Sequence, residues 1–318
     1  MQGFLLGMQH IGEIIALLVS FSWTVSSIYA DLAVRRIGSM STNVIRLFMS
    51  FILLGIILWI TLGVPYPVYA DGKTLFWLGL SALVGYIFGD WCLFNCYLRI
   101  GARFGQLLMT LAPPIAAITG WIMLGEKLSW MSVVAMVVTL AGLAISILGR
   151  GEGHKVQLTL PLKGIIFGIG AGIGQGVGLV LSKIGLSCYI DAVPADAPAI
   201  VNTMLPFAST MFRAVIGGFG FLAIMALQKD LPTLAASLRN GKGMKYTAIM
   251  TVFGPALGVS MSLMAVRYTS AGIASTLMAL SPVFIMVPYA IIFKQKITPR
   301  EILGVAVTMT GVALFFLL

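Results

Sequence analysis

Ten apolar runs follow one another along the chain, and each is long enough to cross a lipid bilayer as a helix. A transmembrane helix needs about 20 predominantly apolar residues. Only 9% of the residues are charged, against roughly 25% in a soluble domain. The sequence therefore predicts an all-α integral membrane protein with ten transmembrane helices, at residues 12–31, 42–62, 74–98, 103–124, 130–149, 161–184, 206–228, 245–266, 271–293 and 299–318.

The connections between these runs are mostly short. Two are longer, at residues 185–205 and 229–244. Both contain charged residues and proline or glycine, which is typical of loops. Neither is large enough to form a separate soluble domain. The sequence thus predicts a helical bundle without soluble appendages.

The second half of the sequence resembles the first. A shift of 169 aligns residues 85–149 with 254–318 without a gap and gives 14 identities in 65 positions. Earlier in the chain, Arg46 aligns with Arg213 at a shift of 167. We therefore predict two halves of five helices each.

The predicted halves comprise residues 1–150 and 161–318. Because five is an odd number, the second half must enter the membrane from the opposite side. The result is an inverted repeat, which is the usual plan of secondary transporters.

Two matching motifs point to a known family. The fourth run of the first half reads Leu-Ala-Pro at 111–113 and Gly-Glu-Lys at 125–127, and its counterpart reads Leu-Ser-Pro at 280–282 and Gln-Lys at 295–296. With an arginine early in the second helix of each half, this pattern resembles the drug/metabolite transporter superfamily, specifically the EamA type. The chain departs from the pattern in two places: Gln295 replaces an acidic residue, and residues 187–205 look like an insertion.

The resemblance implies an exporter or exchanger of small metabolites in the cytoplasmic (inner) membrane. Such a protein has a central cavity between its halves and works by alternating access. The implied partners are a small-molecule substrate, protons as a candidate coupling ion, and membrane lipid. The resemblance does not select a substrate, and the oligomeric state stays open.

Asp90 is the clearest candidate for a functional residue. It lies near the middle of the third run, and Tyr86, Phe94 and Tyr97 are spaced to share its helical face. An ionisable residue inside a span is costly and therefore suggests a function. Asp90 either contributes to solute or proton binding, or pairs with an arginine and fixes the packing.

Arg46 and Arg213 present a similar choice. An arginine inside a span is always charged and rarely faces lipid unpaired. Their equivalence in the repeat favours a shared structural task, such as binding helix-end carbonyls. The alternative is that they bind an anionic part of a substrate.

Further candidates come from polar, methionine and proline positions within the runs. Polar side chains in a bundle either bridge helices or line a wet cavity, and methionines are adaptable wall residues. Proline interrupts helices, and interrupted helices in corresponding positions of two halves indicate a binding site. The remaining cavity candidates are Trp23, Thr24, Ser27, Gln106, Met109, Gln175, Ser275 and Met278, and the kink candidates are Pro113, Pro114, Pro255, Pro282 and Pro288.

Other classes of function are poorly supported. The sequence has no paired carboxylates, no metal-ligand spacing and no phosphate-binding loop. Its two histidines, His10 and His154, lie outside the runs. We expect no catalytic residue, no metal, no cofactor and no nucleic-acid partner. The alternatives to a secondary transporter are an uncoupled facilitator or channel and, less favoured, a membrane-embedded enzyme.

The orientation of the termini is our first testable prediction. Apart from Arg46 and Arg213, four basic residues fall on the side of the N-terminus and fourteen on the opposite side. Lys and Arg in short loops favour the cytoplasmic side, so the count predicts termini outside the cytoplasm. The family resemblance implies the reverse. C-terminal fusions to a cytoplasm-active fluorescent protein and a periplasm-active phosphatase will decide: phosphatase activity is expected, and fluorescence alone would contradict the charge argument.

Overall fold

The computed structural model describes residues 10–149, 161–281, 283–284 and 298–316, and all regular structure within these ranges is helical. The helices of the first half are α1 (Ile11–Ile37), α2 (Ser39–Leu62), α3 (Gly72–Ser81), the π-helical segment π1 (Ala82–Asp90), α4 (Trp91–Met109), α5 (Ala112–Leu124) and α6 (Trp130–Gly149). Those of the second half are α7 (Leu162–Ala192), α8 (Ala199–Leu227), α9 (Leu231–Leu238), α10 (Gly241–Thr251), the π-helical segment π2 (Val252–Ala256), α11 (Leu257–Tyr268), α12 (Ala271–Met278) and α13 (Pro299–Phe316).

Six continuous helical stretches are long and apolar enough to cross a membrane. They are α1, α2, the stretch Gly72–Ile100, α7, α8 and the stretch Gly241–Tyr268. Three further apolar helices within the described ranges are shorter, at 112–124, 130–146 and 302–314. The all-helical, multi-pass class is confirmed, whereas the number of ten crossings stays a prediction.

The predicted connections are wrong in three places. The helix runs unbroken through 99–102. The long connection at 185–205 shrinks to 193–198, because α7 and α8 both continue past the apolar runs. The connection at 229–244 contains α9. Sequence hydropathy marks the part of a helix that lies in lipid, whereas backbone hydrogen bonds extend the helix beyond that part. Even Pro206 lies inside α8.

The two π-helical segments lie at repeat-equivalent positions. A shift of 169 places residues 252–256 on 83–87, inside π1. Short π-helical segments inside α-helices are rare and occur frequently at functional sites. Both halves therefore distort the same helix in the same region.

The helix breaks are equivalent as well. A turn at 110–111 separates α4 from α5, and a turn at 279–280 ends α12, again 169 residues apart. The expected kinks at Pro113 and Pro114 are replaced by a complete break, because both prolines lie in the first turn of α5, where no backbone N–H is needed. Pro255 lies within π2. Pro282 and Pro288 lie outside the described residues.

The glycine-rich helix α7 packs closely on its neighbours. An added Cβ at Gly174 would lie 2.6 Å from the Cα of Gly89, and one at Gly178 would lie 2.7 Å from the Cα of Gly85. A second glycine face, which includes Gly176, approaches α5. Backbones can approach this closely only where side chains are absent. The packing brings α7 directly against π1.

Candidate solute cavity

A cavity of about 170 Å³ lies in the middle of the bundle and receives residues from both halves. The residues of α1 that line it, from Trp23 to Ala30, lie between the middle of that helix and its C-terminal part. The cavity therefore extends from the centre of the bundle toward the end opposite the N-terminus. Thirteen predicted candidates line it: Trp23, Ser27, Arg46, Tyr86, Asp90, Phe94, Met109, Pro113, Gln175, Arg213, Pro255, Ser275 and Met278.

Some predicted candidates lie elsewhere. The hydroxyl of Thr24 donates to the backbone oxygens of Ser20 and Ser281, at 2.8 and 3.1 Å, so it connects helices instead of lining the cavity. Pro114 follows Pro113 in α5 but does not line the cavity. The side chain of Gln106 lies outside the described part of the structure.

Asp90 lies at the end of π1 and is held by two side chains from different helices. Nη2 of Arg46, on α2, forms an ion pair with Oδ2 of Asp90. Nε2 of Gln175, on α7, donates to Oδ1 at 2.7 Å. Asp90 is only 6% exposed, and a buried charge needs such partners. Asp90 therefore pairs with an arginine, as one sequence interpretation has it, and it also lines the cavity. Its contribution to solute or proton binding stays a prediction.

Arg46 makes polar and aromatic contacts in this network. Its Nε donates to Oδ1 of Asn43 at 3.0 Å, one turn earlier on the same helix. Its guanidinium carbon lies 5.2 Å from the centre of the Phe94 ring and 5.8 Å from that of Tyr86. Such cation–π contacts add to the ion pair. The whole guanidinium is thus held in one orientation.

Arg213 has a different environment. Its guanidinium carbon lies 4.7 Å from the centre of the Tyr86 ring, and the side chain is 5% exposed. Among the described residues, neither Nε of Arg213 nor the hydroxyl of Tyr86 has a hydrogen-bond partner. Buried donors are normally paired. The cavity wall therefore presents two buried polar groups with unused hydrogen-bonding capacity.

Ser22 and Ser26, one turn apart on α1, make helix contacts that no sequence pattern indicated. Ser22 Oγ donates to the backbone oxygen of Phe253 at 2.6 Å, and Ser26 Oγ donates to that of Met250 at 3.2 Å. In the π-helical register Met250 would receive the N–H of residue 255, but Pro255 has none. The serines therefore supply donors to the distorted segment.

A polar network joins the two halves at the N-terminal end of the bundle, and we call it the latch. Lys183 Nζ lies 2.6 Å from Oε1 of Glu126 and donates to the backbone oxygen of Thr269 at 2.7 Å. Oε2 of Glu126 accepts the N–H of Ala271 at 2.9 Å, at the start of α12. Thr269 Oγ1 donates to Oε1 of Glu13 at 2.7 Å.

The latch lies beyond the end of the cavity that is nearer the N-terminus of α1. Glu13 precedes Trp23 by ten residues on α1, which corresponds to about 15 Å along the helix. Glu126 appeared in the sequence only as part of a family motif. Its partner Lys183 is 57 positions away, so no local pattern connects the two.

Comparison with known proteins agrees with this architecture. The sequence model of the EamA-like transporter family matches residues 10–148 and 162–317. The chain belongs to the EamA-like transporter family. The family resemblance noted from the motifs is thereby confirmed.

Individual relatives are distant. The chain is 28% identical over 143 residues to the uncharacterized inner membrane transporter YhbE of Escherichia coli K12, which covers 44% of this chain and 43% of that protein. It is 25% identical over 266 residues to the uncharacterized transporter sll0355 of Synechocystis, covering 81% of this chain and 76% of that protein. The matched part of the chain thus spans less than half the length of YhbE.

A solved crystal structure shares the fold. It aligns with 97% of this chain and 96% of its own length, with a TM-score of 0.67 and 14% sequence identity. The apolar helices and the inner membrane relatives agree on the location. The EamA-like chain is a multi-pass integral protein of the inner membrane.

Proposed function

We propose that this protein is a secondary transporter that exports or exchanges a small organic metabolite through the central cavity. One observation carries the proposal: the interrupted helices of both halves, at repeat-equivalent positions, meet at one cavity with polar walls. Discontinuous helices at a repeat interface are typical of transporter binding sites. The cavity volume of about 170 Å³ is below the range of about 300–1,000 Å³ for drug-sized ligands, which favours a small substrate.

The proposed mechanism is alternating access by ten helices in two inverted halves, residues 1–150 and 161–318. The latch supports it, because Glu13 and Glu126 belong to the first half and Lys183, Thr269 and Ala271 to the second. Opening the N-terminal end requires the halves to separate there. Asp90, held in place by Arg46 and Gln175, would bind a coupling proton at the centre.

The direct test is uptake and counterflow in proteoliposomes that contain the purified protein. A panel of labelled metabolites is offered with and without an imposed pH gradient. We expect at least one small organic solute to exchange across the membrane, and acceleration of net uptake by the gradient would indicate proton coupling. Net uptake into solute-free vesicles that is indifferent to every imposed ion gradient would favour the uncoupled facilitator. Protein-free liposomes supply the background, and no exchange of any solute would contradict the proposal.

A further inference from the structure

We infer that the cavity binds a small monocarboxylate, without an amino group, through Arg213 and Tyr86. The inference rests on the proposed transport function and names the substrate class of the same cavity. It assigns different tasks to the two repeat-equivalent arginines. Arg46 belongs to the protein's internal framework, whereas Arg213 faces the solute.

The two halves differ in the residues that surround each arginine. In the first half, Arg46 contacts Asn43 and Asp90. The repeat places Thr210 at the position of Asn43 and Val259 at that of Asp90. The second half therefore keeps the arginine and lacks both of its partners.

Within the described part of the chain, the residues that replace Asn43 and Asp90 in the second half, Thr210 and Val259, form no hydrogen bond with Arg213. Thr210 donates its hydroxyl to the backbone oxygen of Pro206 at 2.8 Å. Val259 lines the same cavity and packs against the cluster that contains Tyr86 and Ala214. Gly85 makes room for the arginine, since an added Cβ would lie 3.3 Å from Nη2 of Arg213. The unpartnered Nε of Arg213 is therefore a consequence of the local sequence.

The charge of the cavity selects an anion. Arg46, Arg213 and Asp90 are the charged residues among the described ones that line it, so its formal charge is +1. A buried charge without a counter-ion is costly. A monoanion restores neutrality, whereas a doubly charged phosphate would overshoot it.

The available donors match a carboxylate. The planar guanidinium binds a carboxylate with two parallel hydrogen bonds, and the Tyr86 hydroxyl, also unpartnered among the described residues, can donate a further one. The rest of the solute would contact apolar walls that include Phe94, Met109 and Met278. Asp90, the acidic residue of the described wall, is already bound by Arg46 and Gln175. No carboxylate in that wall is therefore left for an ammonium group.

Ligand-induced thermal stabilisation of the purified protein in lipid nanodiscs tests the substrate class. Three probes share one carbon skeleton: 3-phenylpropionate, its neutral amide, and phenylalanine. Hexanoate, hexanamide and inorganic phosphate extend the panel, all at constant ionic strength. We expect both carboxylates to stabilise the protein saturably. The apparent affinities of the amides, phenylalanine and phosphate should be at least tenfold weaker. The assignment would be overturned if neither carboxylate stabilises the protein, or if any of the other probes stabilises it as strongly as the carboxylates do.

Two substitutions test the role of Arg213. Arg213→Gln should weaken carboxylate binding about 30-fold or more, because it removes one member of a buried charge pair. The exposed Arg239→Gln removes the same charge far from the cavity and should retain binding. Val259→Asp restores the partner found in the first half, so it should weaken binding at least tenfold relative to Val259→Asn. Equal affinities in the two Val259 variants, or undiminished binding in Arg213→Gln, would overturn the inference.

The binding assay also separates this inference from the transport proposal. Saturable carboxylate binding by a protein that exchanges no solute would contradict transport and leave the assignment intact. Exchange of neutral or cationic solutes, without any stabilisation by carboxylates, would contradict the assignment alone. If Val259→Asp fails to elute as a monodisperse species, the Arg213→Gln result decides.

Discussion

Replacement of Asp90 by Asn is expected to reduce solute exchange at least tenfold while the protein still inserts into the membrane. The substitution leaves the guanidinium of Arg46 buried without its counter-ion, and breaking a buried ion pair in this way costs about 3–5 kcal/mol. The midpoint of thermal unfolding should therefore fall as well. Exchange in proteoliposomes and the unfolding midpoint are measured on the same preparation.

A second variant separates the loss of stability from the loss of function. Asp90→Asn combined with Arg46→Gln removes both charges, so it should recover much of the thermal stability and none of the exchange. The exposed Asp196→Asn serves as the matched control, because it removes a carboxylate outside the cavity. Full exchange by Asp90→Asn over a broad pH range would contradict a functional role for this residue.

Loss of the latch is expected to expose the cavity at the N-terminal end of the bundle. Lys183→Gln removes the charge that Glu126 binds, and a partly exposed ion pair contributes about 1 kcal/mol. The fraction of molecules open at this end should rise about fivefold. The measurement is the labelling rate of Ser275→Cys by a membrane-impermeant thiol reagent, in a background with Cys92, Cys96 and Cys188 replaced.

Lys127 provides the control for the latch. It lies next to Glu126 and is exposed, so Lys127→Gln removes a positive charge from the same end without touching the network. Its labelling rate should equal that of the parent. A labelling rate in Lys183→Gln that matches Lys127→Gln would show that the latch does not hold the halves together.

The convergence of cavity residues could be predicted because it follows from local periodicity. Residues four apart on a helix share a face, so Tyr86, Asp90 and Phe94 had to point the same way. Spacing does not say which neighbour that face meets. Thr24 and Ser27 are both polar residues of α1 and were equal candidates for the cavity, yet Thr24 binds Ser281 and Ser27 lines the cavity.

The π-helical segments and the latch could not be predicted in the same way. A π-helical segment inserts a wider turn without changing the residue types around it, and the hydropathy of residues 82–90 fits an ordinary span. The latch pairs Glu126 with Lys183 across two helices, so it depends on how the halves pack. The charge difference between Asp90 and Val259, in contrast, is visible in the sequence once the repeat is aligned.

The charge difference between the two halves, Asp90 against Val259, bears on how such a chain can arise. A dimer of two identical five-helix proteins, related by a two-fold axis, presents every side chain twice. The charge of a cavity on the axis is then always even. The described cavity wall carries two arginines and one aspartate, an odd charge that no pair of identical subunits can produce. Two halves with separate sequences can be altered independently, so a singly charged chamber became possible once the halves were no longer identical.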